Sequence, residues 1–505
     1  MRGRQRAKNK ANQPISDINY HNVIHPFEPQ TLFSEDKIEA IHNKALEALE
    51  TLGIVFLLPE ARDIFKKSGA VIEGESVKIG RDLVLNALSN CPKTIELKAP
   101  LSAYDRIYDQ KNLLFAPAGG CPNVSDRVRG RRPGNAESYL EAVKLTQMMD
   151  VMHVQTVAPE PQDVPVHLRH IYMTQTQLNH CDKIMSVYAR GTGQTQQIFE
   201  MISTALALDD IQFRRHPHSL TIVNSNSPRI FDKAMSQALI DFAKFGQLSV
   251  ITPFCLAGAM APITIEGALL LQHMECLAGI TLSQLVKAGA PVSYGGFASN
   301  VDMRSGAPAF GTPEHIKMQI VSGQLARYIG LPWRSAAGSA SNCVDAQGNL
   351  ENTNAIWGAF LSNANLLLHS AGWLEGGLTF DFEKFITDCE ALQIASETGL
   401  MRSHDELDQA LEAIANTAAG GHFFDNPHTM TRYKDAFYGP LNADLSNYGT
   451  WQDSGALRAD ERASKTWQRL LDDYKPSPSA QIRAERLAPL TASLRSQGGA
   501  QPLSD

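Results

Sequence analysis

The chain has seven cysteines in 505 residues, an odd number, and no two stand in a C-x-x-C pair. That spacing fits reduced thiols better than a zinc ribbon or a disulfide framework. No excess of positive charge exists either: Lys plus Arg number 46 against 53 Asp plus Glu, a net charge of −7, so a polyanion-binding surface is not expected. Runs of about 18 apolar residues are missing, and no membrane-spanning helix is predicted. The first ten residues, "MRGRQRAKNK", hold five basic side chains, but no apolar run follows to make a secretory signal. Residues 1–30 therefore read as a basic, disordered tail, and a cytoplasmic protein is expected. No G-x-S-x-G elbow, Walker loop or G-x-G-x-x-G follows any strand-like run, which removes the commonest hydrolase, kinase and dinucleotide signatures.

What is present is a repeat of pattern. A short apolar run, a loop rich in Gly, Pro or Asn, and an amphipathic helix recur from about residue 112. The runs are "NLLFAPAGG", "MHVQTVAPE", "DKIMSVYARG", "SLTIVNSNSP", "LSVITPFCLAG", "APVSYGGFASN", "LPWRSAAGSA" and "ANLLLHSAGWLEGG". The intervening helices begin near Ala136, Val166, Gln194, Ile230, Thr264, Pro313, Asn354 and Phe382. Eight such units predict an α/β fold, a (β/α)8 TIM barrel over residues 111–395, with an open doubly wound sheet as the alternative. Residues 31–110 read as an N-terminal cap of helix and hairpin, with Ser34 as an N-cap and "AVIEGESVKI" as the hairpin. Residues 396–505 read as a C-terminal helical extension ending in a polar tail after about Pro489.

In such a barrel the site is built from loops at the C-terminal strand ends, so position sorts candidates before residue type does. The stretch "PVSYGGFASNVDMRSGAPAFGTPE" supplies Tyr294, Phe297, Asp302, Arg304 and Glu314. Other strand ends supply Asn224 and Asn226, Phe254, Trp333 and Arg334, and His369, Trp373 and Glu375. Several have ordinary roles open to them: Glu314 in the first turn of a helix capped by Thr312 and Pro313, Asp302 and Arg304 as a loop brace, the aromatics as core. Taken together, Tyr294, Phe297, Trp333 and Trp373 make the set of rings that a cage for an alkylated ammonium needs, each good contact contributing about 0.5–2 kcal/mol. His167, His170 and Asp163 are a possible metal site, with capping and core packing as the other reading. His216 and His218 precede the fourth strand, at the opposite end, and "RGTGQ" is a weak glycine pair.

The segments "FAPAGGCPNVSDRVRGRRPG", "DVPVHLRHIYMTQTQLNHCDK", "LAGAMAPITIEGALLLQHMECLAG", "YGGFASNVDMRSGAPAFGTPE" and "LHSAGWLEGGLTFDFEK" resemble the trimethylamine methyltransferase family. The resemblance covers nearly the whole chain and implies a TIM barrel that moves methyl groups from methylated amines to a corrinoid protein. Archaeal trimethylamine enzymes of that family carry pyrrolysine, placed by resemblance in "GSASNCVDAQ", where this chain has Ser341, Asn342 and Cys343. The chain thus resembles the non-pyrrolysine branch, and the resemblance implies a quaternary amine such as glycine betaine as methyl donor. A quaternary nitrogen needs no proton donor, metal or covalent nucleophile to leave, so none is expected here. Arg304, Arg334, His369, Asn224 and Asn226 are the candidate partners of a betaine carboxylate. None of the 15 histidines has Asp two positions before it, so the D-x-H-x-x-G signature of a cobalamin domain is absent. The corrinoid is expected on a separate partner protein, with no cofactor bound tightly by this chain, and a homo-oligomer is expected. Trimethylamine, another betaine or a sulfonium as donor, a metal-dependent hydrolase, and a non-catalytic betaine-binding protein are the alternatives.

Overall fold

The computed structural model describes residues 20, 23–400, 406–434 and 436–504. Every apolar run of the repeat contains a parallel strand: β1 (Asn112–Phe115), β2 (Val154–Gln155), β3 (Ile184–Ser186), β4 (Ser219–Val223), β5 (Leu248–Ile251), β6 (Val292–Gly295), β7 (Trp333–Ala336) and β8 (Leu366–Leu368). From β2 to β8 each strand pairs with the next, and β8 pairs with β1, Leu366 opposite Leu114. The sheet therefore curls until its last and first members in chain order are neighbours. On the other side of β1 a ninth strand, Val23–Ile24, runs antiparallel. Between β1 and β2 the His153 N–H donates to the Phe115 carbonyl at 2.9 Å, and the Phe115 N–H donates to His153 Nδ1 at 3.0 Å.

Each strand leads into a helix on the outer face, and most of these helices start where a short polar side chain can accept from the first turn. Asn135, Asp232, Thr264, Thr312, Asp345 and Asp381 all do so. Such a cap is worth about 1 kcal/mol against alanine. Because strand side chains alternate, one set faces into the curl and the other faces the helices. Leu114, Val154, Ile184, Leu220, Leu248 and Leu366 form the inner cluster. Ile95, Leu97 and Tyr108, from the antiparallel pair Ile95–Leu97 and Arg106–Tyr108, join it and close the end of the curl where the strands begin. Leu113, Phe115, Val292, Tyr294, Trp333 and Leu367 belong to the layer between sheet and helices.

The helix Ile265–Val286 is apolar all round and long enough by composition to cross a membrane, yet 78% of its most apolar window is buried. It packs on the cap helices Glu35–Thr51 and Arg81–Asn90 and on Lys233–Phe245, and is a core helix. Ser34 caps the first of these, accepting from the Lys37 N–H, and Val71–Glu73 pairs with Ser76–Lys78 as a hairpin.

Two expectations about the ends change. Of the basic tail over 1–30, residues 1–19, 21 and 22 lie outside the described residues, but from Val23 the chain is ordered, because Val23 and Ile24 extend the sheet. The polar tail after Pro489 is helix: Pro478–Ser496 runs through that proline and docks on Val166–His180 and Thr192–Leu206. Buried Leu487, Thr491 and Leu494 recur every three or four residues, a stripe interrupted by enough polar residues to read as tail.

Candidate functional site

Above the strands' C-terminal ends five rings pack together. Phe297, two residues beyond β6, lies 4.8 Å from Phe254, 5.3 Å from Phe310, 5.3 Å from His369 and 5.7 Å from Trp373, ring centre to ring centre. Trp373 meets Phe310 edge-on at 5.0 Å and stacks on His369 at 4.8 Å. Glycines make these approaches possible. A Cβ on Gly338, at φ 115°, would lie 2.0 Å from the Trp373 ring, and one on Gly377, at φ 110°, would lie 2.5 Å from it. The strand end after β7 is thus bare so that the indole can lie against it.

Arg334 is the charge beneath these rings. It points into the curl from β7, is 1% exposed, and holds its guanidinium carbon 5.0 Å from the centre of the Phe297 ring. Its Nη1 donates to the Gly296 carbonyl at 3.2 Å, while Nε has no partner. Among the described residues no carboxylate pairs with it. Burial pulls its pKa down to about 9, opposed by Tyr108. A buried cation without an anion is costly. His369, in the left-handed region at φ 58°, accepts the Gly119 N–H on Nδ1 at 3.2 Å, which places its proton on Nε2. Burial, and then the charge of Arg334, hold its pKa well below the usual histidine value, so it is a neutral donor.

The structure separates the remaining candidates. Tyr294 and Trp333 face the helices: the Tyr294 hydroxyl is 3.1 Å from His273 Nδ1, and Trp333 Nε1 donates to the Asn363 carbonyl. Strand alternation explains it, since Arg334 and Phe297 take the inner positions and Tyr294 and Trp333 the outer ones. Both are core residues rather than cage walls. Asp302 and Arg304 sit on an exposed loop tip where Asp302 accepts from Ser305 rather than from the Arg304 guanidinium. Glu314 is half-buried in the first turn of Pro313–Tyr328, below Thr312. Asn224 and Asn226 are exposed at the end of β4. Glu375 is held by Arg131 through paired bonds of 2.8 and 2.9 Å. Phe310 was not among the sequence candidates; it stands directly before the Gly-Thr-Pro helix start, where the loop returns to the strand ends.

The metal reading loses its ligands. His170 Nε2 bonds Gln197 at 2.7 Å, and Asp163 accepts the Ala136 N–H at the start of another helix. Among the described residues no group of three His, Cys, Asp or Glu side chains is placed to hold a metal.

The family model for trimethylamine methyltransferase matches residues 1–499. The chain belongs to the trimethylamine methyltransferase family. It is a methyltransferase. It is 32% identical to a glycine betaine methyltransferase of Desulfitobacterium hafniense, over 88% of this chain and 93% of that one. It is 25% identical to a proline betaine:corrinoid methyltransferase of Eubacterium limosum, over 87% of this chain and 96% of the relative. Among solved structures, the monomethylamine methyltransferase of Methanosarcina barkeri shares the fold, with a TM-score of 0.50 at 11% identity over 97% of this chain and 92% of that one.

Proposed function

We propose that this methyltransferase takes a methyl group from a quaternary amine that also bears a carboxylate, glycine betaine being the first candidate, and passes it to a reduced corrinoid on a separate protein. The observation that carries the reading is Arg334, a buried guanidinium without an anion, directly beside a cluster of rings that lacks a free carboxylate. A betaine satisfies both at once: its carboxylate pairs with Arg334 and the His369 Nε2–H, and its ammonium lies on ring faces. Trimethylamine would leave Arg334 unpaired. The ordinary residues Ser341, Asn342 and Cys343 in the loop after β7 support the same choice. We also infer that the curled sheet is a closed (β/α)8 barrel, a reading supported by the β8–β1 pairing and the His153–Phe115 bridge.

A reduced corrinoid supplies the nucleophile when its protein docks. The bond from nitrogen to the departing methyl carbon breaks with its electron pair remaining on nitrogen, so dimethylglycine leaves neutral at nitrogen and no proton is required. This chain's part is to hold the carboxylate, aim one methyl group out of the mouth and exclude water. Rings suit this better than carboxylates would, because the positive charge disappears during transfer and a strong anion would stabilise the ground state more than the transition state. In the ligand-free form the rings touch, so the ammonium enters by parting them or lies across their outward faces.

Incubation of the purified enzyme with reduced cobalamin and each of glycine betaine, proline betaine, choline and trimethylamine tests this. Loss of the Co(I) absorbance with a carboxylated donor, matched by the demethylated product, is expected. Turnover with trimethylamine alone would contradict it.

A further inference from the structure

Thr252 follows directly on β5 and is wholly buried, and its hydroxyl bonds to nothing among the described residues. Its backbone is engaged in the ordinary way, the N–H donating to the Val223 carbonyl at 2.7 Å. Threonine and valine have the same outline, so a buried position that offers a hydroxyl no partner is filled at less cost by valine. The glycine beside it fixes where the hydroxyl points. Gly295 on β6 pairs with Arg334 on β7, and paired residues present their side chains to one face of a sheet, here the inside of the curl. A Cβ on Gly295 would lie 2.2 Å from Thr252 Oγ1. The threonine hydroxyl thus takes the inward space that a side chain on Gly295 would fill, on the same face as the guanidinium.

In strand order Thr252 and Arg334 flank a residue without a side chain, and each carries a polar atom without a partner, Oγ1 on one and Nε on the other. One layer further from the mouth the polar groups satisfy each other: Ser293 Oγ, two residues before Gly295, lies 2.6 Å from the Tyr108 hydroxyl. One layer nearer the mouth are the rings, Phe254 and Phe297, two residues beyond Thr252 and Gly295 and 4.8 Å apart. The two orphaned groups therefore face a position between a satisfied polar layer and an apolar one. Resting on the betaine reading above, we propose that Thr252 is a second holder of the substrate carboxylate, its hydroxyl donating to one oxygen across the bare Gly295 while Arg334 donates to the other. A carboxylate has about four lone-pair sites, so the His369 Nε2–H keeps its place on it. Thr252 is then a specificity residue: an amine without the carboxylate leaves a hydroxyl and a guanidinium both buried and unpaired.

Calorimetric titration with glycine betaine, and thermal unfolding without ligand, of the wild type, Thr252→Val and Thr252→Ser test this. Thr252→Val should melt at or above the wild type, because a methyl group replaces an unpaired buried hydroxyl. It should bind glycine betaine roughly tenfold or more weaker, as the loss of a hydrogen bond to a charged group requires. Thr252→Ser keeps the hydroxyl and should stay close to the wild-type Kd. Equal affinity in the wild type and Thr252→Val would overturn the proposal, and so would an equal loss in both variants, which would make the methyl group the part that matters. A Thr252→Val that melts lower without ligand would overturn it too, by showing that the hydroxyl is bonded within the fold. Those results leave the function standing as long as betaine binds the wild type and not Arg334→Met. A wild type that does not bind glycine betaine would overturn both.

Discussion

Replacing Arg334 by methionine should abolish betaine binding without lowering the stability of the ligand-free protein. The folded-state pKa of about 9 lies well below the usual guanidinium value, so the folded protein disfavours the charged form. At about 1.4 kcal/mol per pKa unit, that displacement amounts to a cost of about 5 kcal/mol. The cost is fully present at neutral pH and is relieved only as pH rises above about 9 toward the ordinary guanidinium range. Methionine keeps the apolar stem and removes the cost, so the melting temperature of Arg334→Met should hold or rise. A bound carboxylate offsets the cost in the wild type, and losing one partner of such a buried pair costs about 2–5 kcal/mol of binding, roughly 30-fold or more in Kd. Glycine betaine at about 100 times the wild-type Kd should stabilise the wild type by about 2.7 kcal/mol and the variant by less than about 1 kcal/mol. Thermal unfolding with and without ligand reads both quantities. A variant that melts several kcal/mol lower on its own yet still responds to betaine would refute the reasoning and make Arg334 a structural residue.

Phe297→Leu should weaken glycine betaine by about 0.5–2 kcal/mol while leaving its neutral carbon isostere, tert-butylacetate, unaffected, since only the cation interacts with the ring quadrupole; calorimetric titration of both ligands separates charge from shape. Gly338→Ala places a methyl group inside the Trp373 ring and adds a side chain at positive φ, so a lower melting temperature together with loss of the betaine response is expected. Asp381, buried at the start of Phe382–Gly399, has its pKa raised from 3.8 to about 7 by desolvation and then by Glu383. A raised acid destabilises the fold above about pH 7, and the penalty fades as pH falls toward 3.8. Asp381→Asn, which retains the cap on the Lys384 N–H, should therefore stabilise the protein at pH 8 relative to wild type and bring the two together near pH 4, as followed by denaturant unfolding. Glu275 accepts from Ser225 Oγ, Ser227 Oγ and the Arg229 N–H inside the core. Glu275→Ala leaves those donors buried without a partner and should cost about 3 kcal/mol or more in the same assay.

The eight units were legible because their apolar runs and helix caps repeat, and a repeated local signal survives individual misreadings. Tyr294 and Trp333 show where that reading fails. Both were placed at strand ends, but which face a strand residue takes depends on a register shifted by a single position. Arg334 was named, yet what distinguishes it, the absence of any anion around it, is a property of its neighbours in space. Phe310 is brought to the rings by the return of a long loop, and the sequence places no periodic signal there. The helix Leu407–Ala415 misleads in the opposite direction: Leu407, Leu411 and Ile414 have the spacing of an ordinary core-facing helix, yet all three are exposed.

A crystal structure of the protein with glycine betaine tests the central claim most directly. The account predicts the carboxylate on the Arg334 guanidinium and the ammonium within about 6 Å of the Phe297 and Trp373 ring centres, with one methyl group directed out of the mouth. Betaine bound elsewhere, with Arg334 still donating only to the Gly296 carbonyl, would contradict it.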